Sequence, residues 1–113
     1  MDDFRIKDNE GNQPIDTPII KGGPAAYFST IPIRAVIDAL NQKAIPATVS
    51  NSAGTYVCNH VFYGCAHHIH LVLSSSLFGF VHIPSTKKPP SNIKKMVEAV
   101  LIMMDAIASE TTY

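Results

Sequence analysis

Ser50-Asn51-Ser52-Ala53-Gly54-Thr55-Tyr56-Val57-Cys58-Asn59-His60 stands where one periodicity gives way to another. Ahead of it, Ala47-Thr48-Val49 reads as a short buried strand. Behind it, Val61-Phe62-Tyr63-Gly64 opens an apolar, helix-like run. The pattern predicts a helix that starts near Tyr56 or Cys58 and ends at about His68 or His70. A cysteine at a strand–loop–helix junction can lie near the positive end of the helix dipole, a field that favours the thiolate, the nucleophilic form. Cys58 is therefore the chain's first candidate for chemistry.

Outward from this junction, helices alternate with short strands. Upstream, Thr30 is a candidate N-cap and Pro32 suits a first turn, while Ile33, Val36, Ile37 and Leu40 recur at i, i+3, i+4, i+7 along one stripe. Downstream, Leu77 to Ile83 reads as a strand. A last helix, capped by Ser91 or Asn92, would place Ile93, Met96, Val97, Val100, Leu101, Met104 and Ile107 on one face. Residues 1–29 carry Pro14, Pro18, Gly22, Gly23 and Pro24 and no helical period, with Ile15, Ile19 and Ile20 available for short extended pieces. Alternation of this kind predicts an α/β layer fold with a mostly parallel sheet.

Composition narrows the function. A chain of 113 residues holds one domain at most, and 46% hydrophobic against 16% charged residues means that it buries a core. Nine basic and nine acidic residues cancel, which leaves no electrostatic footprint for nucleic acid. Met1-Asp2-Asp3 is acidic and has no apolar run behind it, so no secretory signal is read. The longest apolar segment, around Ile69 to Ile83, is broken by Ser74-Ser75-Ser76 and His82 and is too short for a membrane span. These features predict a cytoplasmic protein with reduced thiols. On one continuous helix, Cys58 and Cys65 would lie about two turns apart, beyond disulfide reach.

Histidines supply the remaining candidates. His82 lies in the apolar strand Phe80-Val81-His82-Ile83, 24 residues beyond Cys58, enough for a helix and a return. A cysteine with a spatially adjacent histidine is the minimal constellation for thiol catalysis. The alternative is a core histidine satisfied by one hydrogen bond. His60, His67 and His68 share a helix face, with His70 nearby, but zinc sites favour the tighter His-x-x-x-His spacing. A solvated face is the simpler reading, and no metal is expected. Cys65 reads as packing on the same helix. Asn51 and Asn59 read as loop braces. Met96, Met103 and Met104 read as core, with a partner surface as the alternative.

Several stretches together resemble the pyroglutamyl peptidase I (pyrrolidone-carboxylate peptidase) family. They are Asp8-Asn9-Glu10-Gly11-Asn12-Gln13-Pro14-Ile15-Asp16, Gly22 to Thr30, Ser50 to Gly64 and Phe80 to Pro84. The resemblance covers most of residues 4–84 and fades after Pro84, at Ser85-Thr86-Lys87-Lys88-Pro89-Pro90. It implies a three-layer α/β/α sandwich of the pyroglutamyl peptidase type, truncated, with residues 1–113 forming the C-terminal portion of a single domain. It implies a cysteine exopeptidase that removes an N-terminal pyroglutamyl residue through an acyl-enzyme. Cys58 would be the nucleophile and His82 the general base and acid, while Ile6, Tyr56 and Val57 would line the pocket for the pyroglutamyl ring. No metal or organic cofactor is implied. The implied partners are a pyroglutamyl peptide and either a homo-oligomer or the missing N-terminal half, which in the family carries the substrate loop and the triad glutamate. The competing expectation is a non-catalytic truncated remnant, or a partner-dependent fragment that lacks the triad glutamate.

Overall fold

The computed structural model describes residues 1–72, 75–84 and 93–111. Among the described residues there are three helices, α1 (Ile33–Gln42), α2 (Val57–Val72) and α3 (Ile93–Thr111). The chain divides into two compact units, one of residues 1–30 and 50–80, the other of residues 31–49 and 81–113.

The first unit is built around α2. That helix starts where predicted, between Tyr56 and Cys58, and ends at Val72, two to four residues beyond the predicted end at His68 or His70. Residues 1–17 fold back on themselves through an antiparallel bridge, in which Asp2 and Thr17 exchange both backbone hydrogen bonds at 2.8 and 2.9 Å. The turn between is held by Asp8, whose carboxylate accepts from the backbone N–H of Asn12 at 2.8 Å and of Glu10 at 3.0 Å. Those donors, the Asn12 N–H foremost, hold the Asp8 carboxyl below the usual aspartate value. Further along, Tyr63 is buried and donates to the carbonyl of Pro24 at 2.6 Å. Tyr27 packs edge-on against the Tyr63 ring at 5.1 Å, and its hydroxyl lies 2.6 Å from His67 Nδ1. Desolvation, with a contribution from Tyr63, pushes the Tyr27 hydroxyl above its ordinary value. Gly23 has to be glycine here, because a Cβ would run into the Tyr63 hydroxyl.

In the second unit α1 packs against α3. Val36, Leu40 and Ile45 form the buried centre, and Ala99, Ile102, Met103, Ala106 and Ile107 pack against it. The chain turns sharply after α1: Lys43 and Ile45 both donate to the Leu40 carbonyl, at 3.1 and 3.0 Å, and Ala44 takes a left-handed φ of 56°. Pro32, not Thr30, occupies the N-cap position, with no side-chain cap. Thr30 is engaged elsewhere: its N–H donates to the Phe78 carbonyl and its hydroxyl accepts from the Phe78 N–H, both at 2.7 Å. The predicted caps Ser91 and Asn92 lie outside the described residues.

Two expectations need correction. The α3 stripe facing α1 is Ala99, Ile102, Met103, Ala106 and Ile107, and of the predicted face only Ile107 belongs to it. Ile93, Val97, Val100, Leu101 and Met104 are exposed instead. The helix is apolar on two sides, and a period of 3.6 marks stripes without saying which one meets α1. In addition, residues 47–49 and 77–83 are not joined into a ladder; among the described residues the only β pairing is the isolated Asp2–Thr17 bridge. A strand is defined by its neighbour's hydrogen bonds, and sequence pattern cannot supply the neighbour.

Candidate active site

Cys58 is the second residue of α2, in the turn whose backbone N–H groups have no intrahelical acceptor. The loop that delivers it is braced by its own serines. Ser50 Oγ donates to the Ser52 carbonyl at 2.8 Å, and Ser52 Oγ accepts from the Gly54 N–H at 2.9 Å. Gly54 then takes φ +86°, a conformation open to glycine but strained for residues with a Cβ. Such local side-chain bonds define the loop without a sheet.

The N-terminal segment clamps the same turn. Asp3 N–H donates to the Thr55 carbonyl at 2.9 Å, and Thr55 Oγ1 donates back to the Asp3 carbonyl at 3.0 Å. Asn59 Nδ2 donates to the Met1 carbonyl at 2.9 Å, a bond that ties α2 to the N-terminal segment and not to the preceding loop. Tyr56 Oη donates to the Lys7 carbonyl at 3.0 Å, and the Phe4 ring packs edge-on to Tyr56 at 4.5 Å. Tyr56 thereby reaches across to the residue following Ile6. Ile6 and Val57 are both exposed, with accessible apolar surface beside this junction.

One contact was not legible in the sequence. His60 Nδ1 lies 2.6 Å from Asp2 Oδ2. Asp2 is 3% exposed, and its Oδ1 is buried with no hydrogen-bond partner among the described residues. A carboxylate there accepts from Nδ1–H, so the pair fixes the His60 tautomer. His60 is two residues from Cys58 and so points to another side of the helix. Replacing His60 by Gln, which moves the donor outward, is expected to speed hydrogen exchange of the residue 60–62 amides about tenfold, the order expected from one lost charge-assisted hydrogen bond. His60→Asn keeps a donor near the Nδ1 position and should restore protection. Equal exchange in both variants and the parent would show that the pair does not hold the turn.

His82 belongs to the second unit, on the extended segment 81–84, where it is exposed. Cys58 is partly buried and Cys65 is exposed; both are free thiols. Among the described residues no three His, Cys, Asp or Glu side chains converge as metal ligands. His67 faces Tyr27 and His60 faces Asp2.

Comparison with known proteins decides the lineage. The profile of the family described as pyroglutamyl peptidase matches residues 1–110. The chain belongs to the pyroglutamyl peptidase family. The match runs past Pro84 through α3, so the family likeness does not fade where the short motifs do. The pyrrolidone-carboxylate peptidase of Vibrio vulnificus (strain YJ016) is 48% identical over 111 residues, spanning 92% of this chain and 51% of that protein. The Brevibacillus brevis protein of the same name is 57% identical over 84 residues, spanning 74% of this chain and 39% of its own length. Among solved structures, pyroglutamyl peptidase I from Bacillus amyloliquefaciens superposes with a TM-score of 0.87 at 37% identity, covering 96% of this chain and 55% of that one. A mutant pyrrolidone carboxyl peptidase from Pyrococcus furiosus gives 0.85 at 38% identity, covering 98% and 59%. These neighbours establish an α/β fold. The chain spans about half the length of the relatives it matches. No helix among the described residues is long and apolar enough to cross a membrane.

Proposed function

We propose that this chain is the nucleophile-bearing portion of a cysteine exopeptidase that removes N-terminal pyroglutamyl residues. The observation that carries the reading is the family match over residues 1–110, together with Cys58 in the first turn of α2. Cys58 attacks the pyroglutamyl carbonyl carbon, the C–N bond to the next residue breaks, and His82 protonates the departing amine. Water, deprotonated by His82, then cleaves the thioester and frees Cys58. Backbone N–H groups at the start of α2 are suited to the developing oxyanion. The substrate ring is a small neutral lactam, and Ile6, Tyr56 and Val57 offer it an apolar wall. No cofactor is needed for this chemistry.

On the same reading, residues 1–113 are the C-terminal portion of one three-layer α/β/α domain with a mostly parallel sheet. The protein works in the cytosol, as a homo-oligomer or joined to the half of the domain that it does not span. A second reading, a non-catalytic remnant dependent on a partner chain, is favoured by one observation: the exposed apolar stripe on α3.

Alkylation of the two thiols tests the assignment of the nucleophile. Cys65 is the more exposed, so access alone predicts that it reacts first. It sits two turns inside α2, where the terminal field has faded. Limited iodoacetamide treatment of the folded chain at neutral pH, read by peptide mass, is expected to modify Cys58 ahead of Cys65. Preferential modification of Cys65 would remove Cys58 as the activated thiol.

A further inference from the structure

The turn that carries Cys58 is closed by the backbone bond from the His60 N–H to the Tyr56 carbonyl, at 3.0 Å. Both of those residues are held from outside the helix by residues 1–7. The Tyr56 hydroxyl donates to the Lys7 carbonyl at 3.0 Å, and the Tyr56 ring meets Phe4 edge-on. His60 Nδ1 lies 2.6 Å from Asp2 Oδ2. Two more ties flank the same turn: Thr55 exchanges two hydrogen bonds with Asp3, and Asn59 Nδ2 donates to the Met1 carbonyl. The ties fall on both sides of Cys58 in the chain, at 55 and 56 before it and at 59 and 60 after it.

Residues 1–7 are themselves anchored on their far side. Asp2 is bridged to Thr17, the Phe4 N–H donates to the Pro14 carbonyl at 2.8 Å, and Gln13 Nε2 donates to the Phe4 carbonyl at 3.2 Å. Phe4 is buried. A segment fixed in this way can hold a helix end that would otherwise fray, since the first N–H groups of a helix lack intrahelical acceptors. If the first turn of α2 opened, the aligned N–H dipoles would begin beyond residue 58 and Cys58 would lie in ordinary loop. Asp2–His60 is the tie most costly to break. Its loss leaves a buried carboxylate whose other oxygen, Oδ1, has no hydrogen-bond partner among the described residues.

We propose that residues 1–7 form a positioning strap for the nucleophile, in which Asp2, acting through His60, keeps the first turn of α2 closed around Cys58. Asp2 is a positioning residue and takes no part in the bond-making steps. The strap rests on the reading of Cys58 as the activated thiol. Its effect has the opposite sign to that of simple electrostatics. A carboxylate near a thiol disfavours the thiolate, so loss of the Asp2 charge alone would make Cys58 more reactive. With a strap the reverse holds: without Asp2 the turn opens, the field of the helix end is lost, and Cys58 becomes less reactive.

The test alkylates the full chain with iodoacetamide at about pH 7 and about pH 10 and reads the ratio of Cys58 to Cys65 modification by peptide mass. At the higher pH ordinary thiols are largely ionised, so the ratio reports access alone. Dividing the neutral ratio by it isolates the advantage that Cys58 gains as a thiolate. That quotient should be about five or more in the parent and fall to about one in Asp2→Ala. Asp2→Asn loses the charge but keeps an acceptor for the His60 Nδ1–H, and should stay within about twofold of the parent. Thr55→Val removes one exposed tie to Asp3 and should lower the quotient about twofold, which keeps the strap testable should Asp2→Ala not fold. Helical circular dichroism and the rate at Cys65 certify the fold of each variant. A quotient that rises in Asp2→Ala and Asp2→Asn alike, or that is unchanged in Asp2→Ala and Thr55→Val, would overturn the strap while leaving Cys58 as the activated thiol. A parental quotient of about one would overturn both.

Discussion

Residues 1–113 purified alone are expected to turn over a fluorogenic pyroglutamyl amide at least about 10⁴-fold more slowly than a full-length family member. The physical argument has two parts. A histidine that shuttles protons needs a third group to fix its tautomer and orientation, and losing that group costs on the order of 10⁴ in kcat in a serine triad. Asp2 lies against an imidazole, but that imidazole is His60, on another side of α2 from Cys58. The family resemblance places both the triad glutamate and the substrate loop in the half that this chain does not span, so proximity is lost along with orientation. The assay uses Cys58→Ala as its blank. Turnover near that of a full-length relative, abolished by Cys58→Ala, would defeat the expectation and show that a residue within the chain replaces the missing acid.

How far the sequence reaches depends on the range of each interaction. The start of α2 was legible because its signals are local: a serine- and glycine-rich loop, then an apolar run. The Asp2–His60 pair was not, since its members are 58 residues apart and neither carries a mark of the other. His60 read alone suggested a solvated face or a metal ligand. Thr30 illustrates competition: a good N-cap type by propensity, it is held by Phe78, and the helix begins with Pro32 as its uncapped boundary. The α3 error is of another kind. Both stripes are real in the sequence, and only tertiary packing chooses which one closes on α1.

That choice sets a second large effect, in stability. Leu40→Ala should destabilise the chain by about 2–5 kcal/mol, the range for truncating a buried leucine. Leu40 is 4% exposed and central to the cluster with Val36 and Ile45. Its backbone carbonyl also accepts both Lys43 and Ile45 N–H groups, so a collapse around the cavity would disturb the turn that ends α1. Small domains are marginally stable, and a loss of this size lowers the midpoint of thermal unfolding by roughly 10 °C or more. Met104→Ala removes a side chain of similar size from the exposed stripe and should change the stability of the isolated chain by only about 0.5 kcal/mol. Urea unfolding followed by far-ultraviolet circular dichroism measures both. Equal losses in the two variants would mean that α3 meets α1 through the Val100–Met104 side after all, and that the stripe assigned to a partner is this chain's own core.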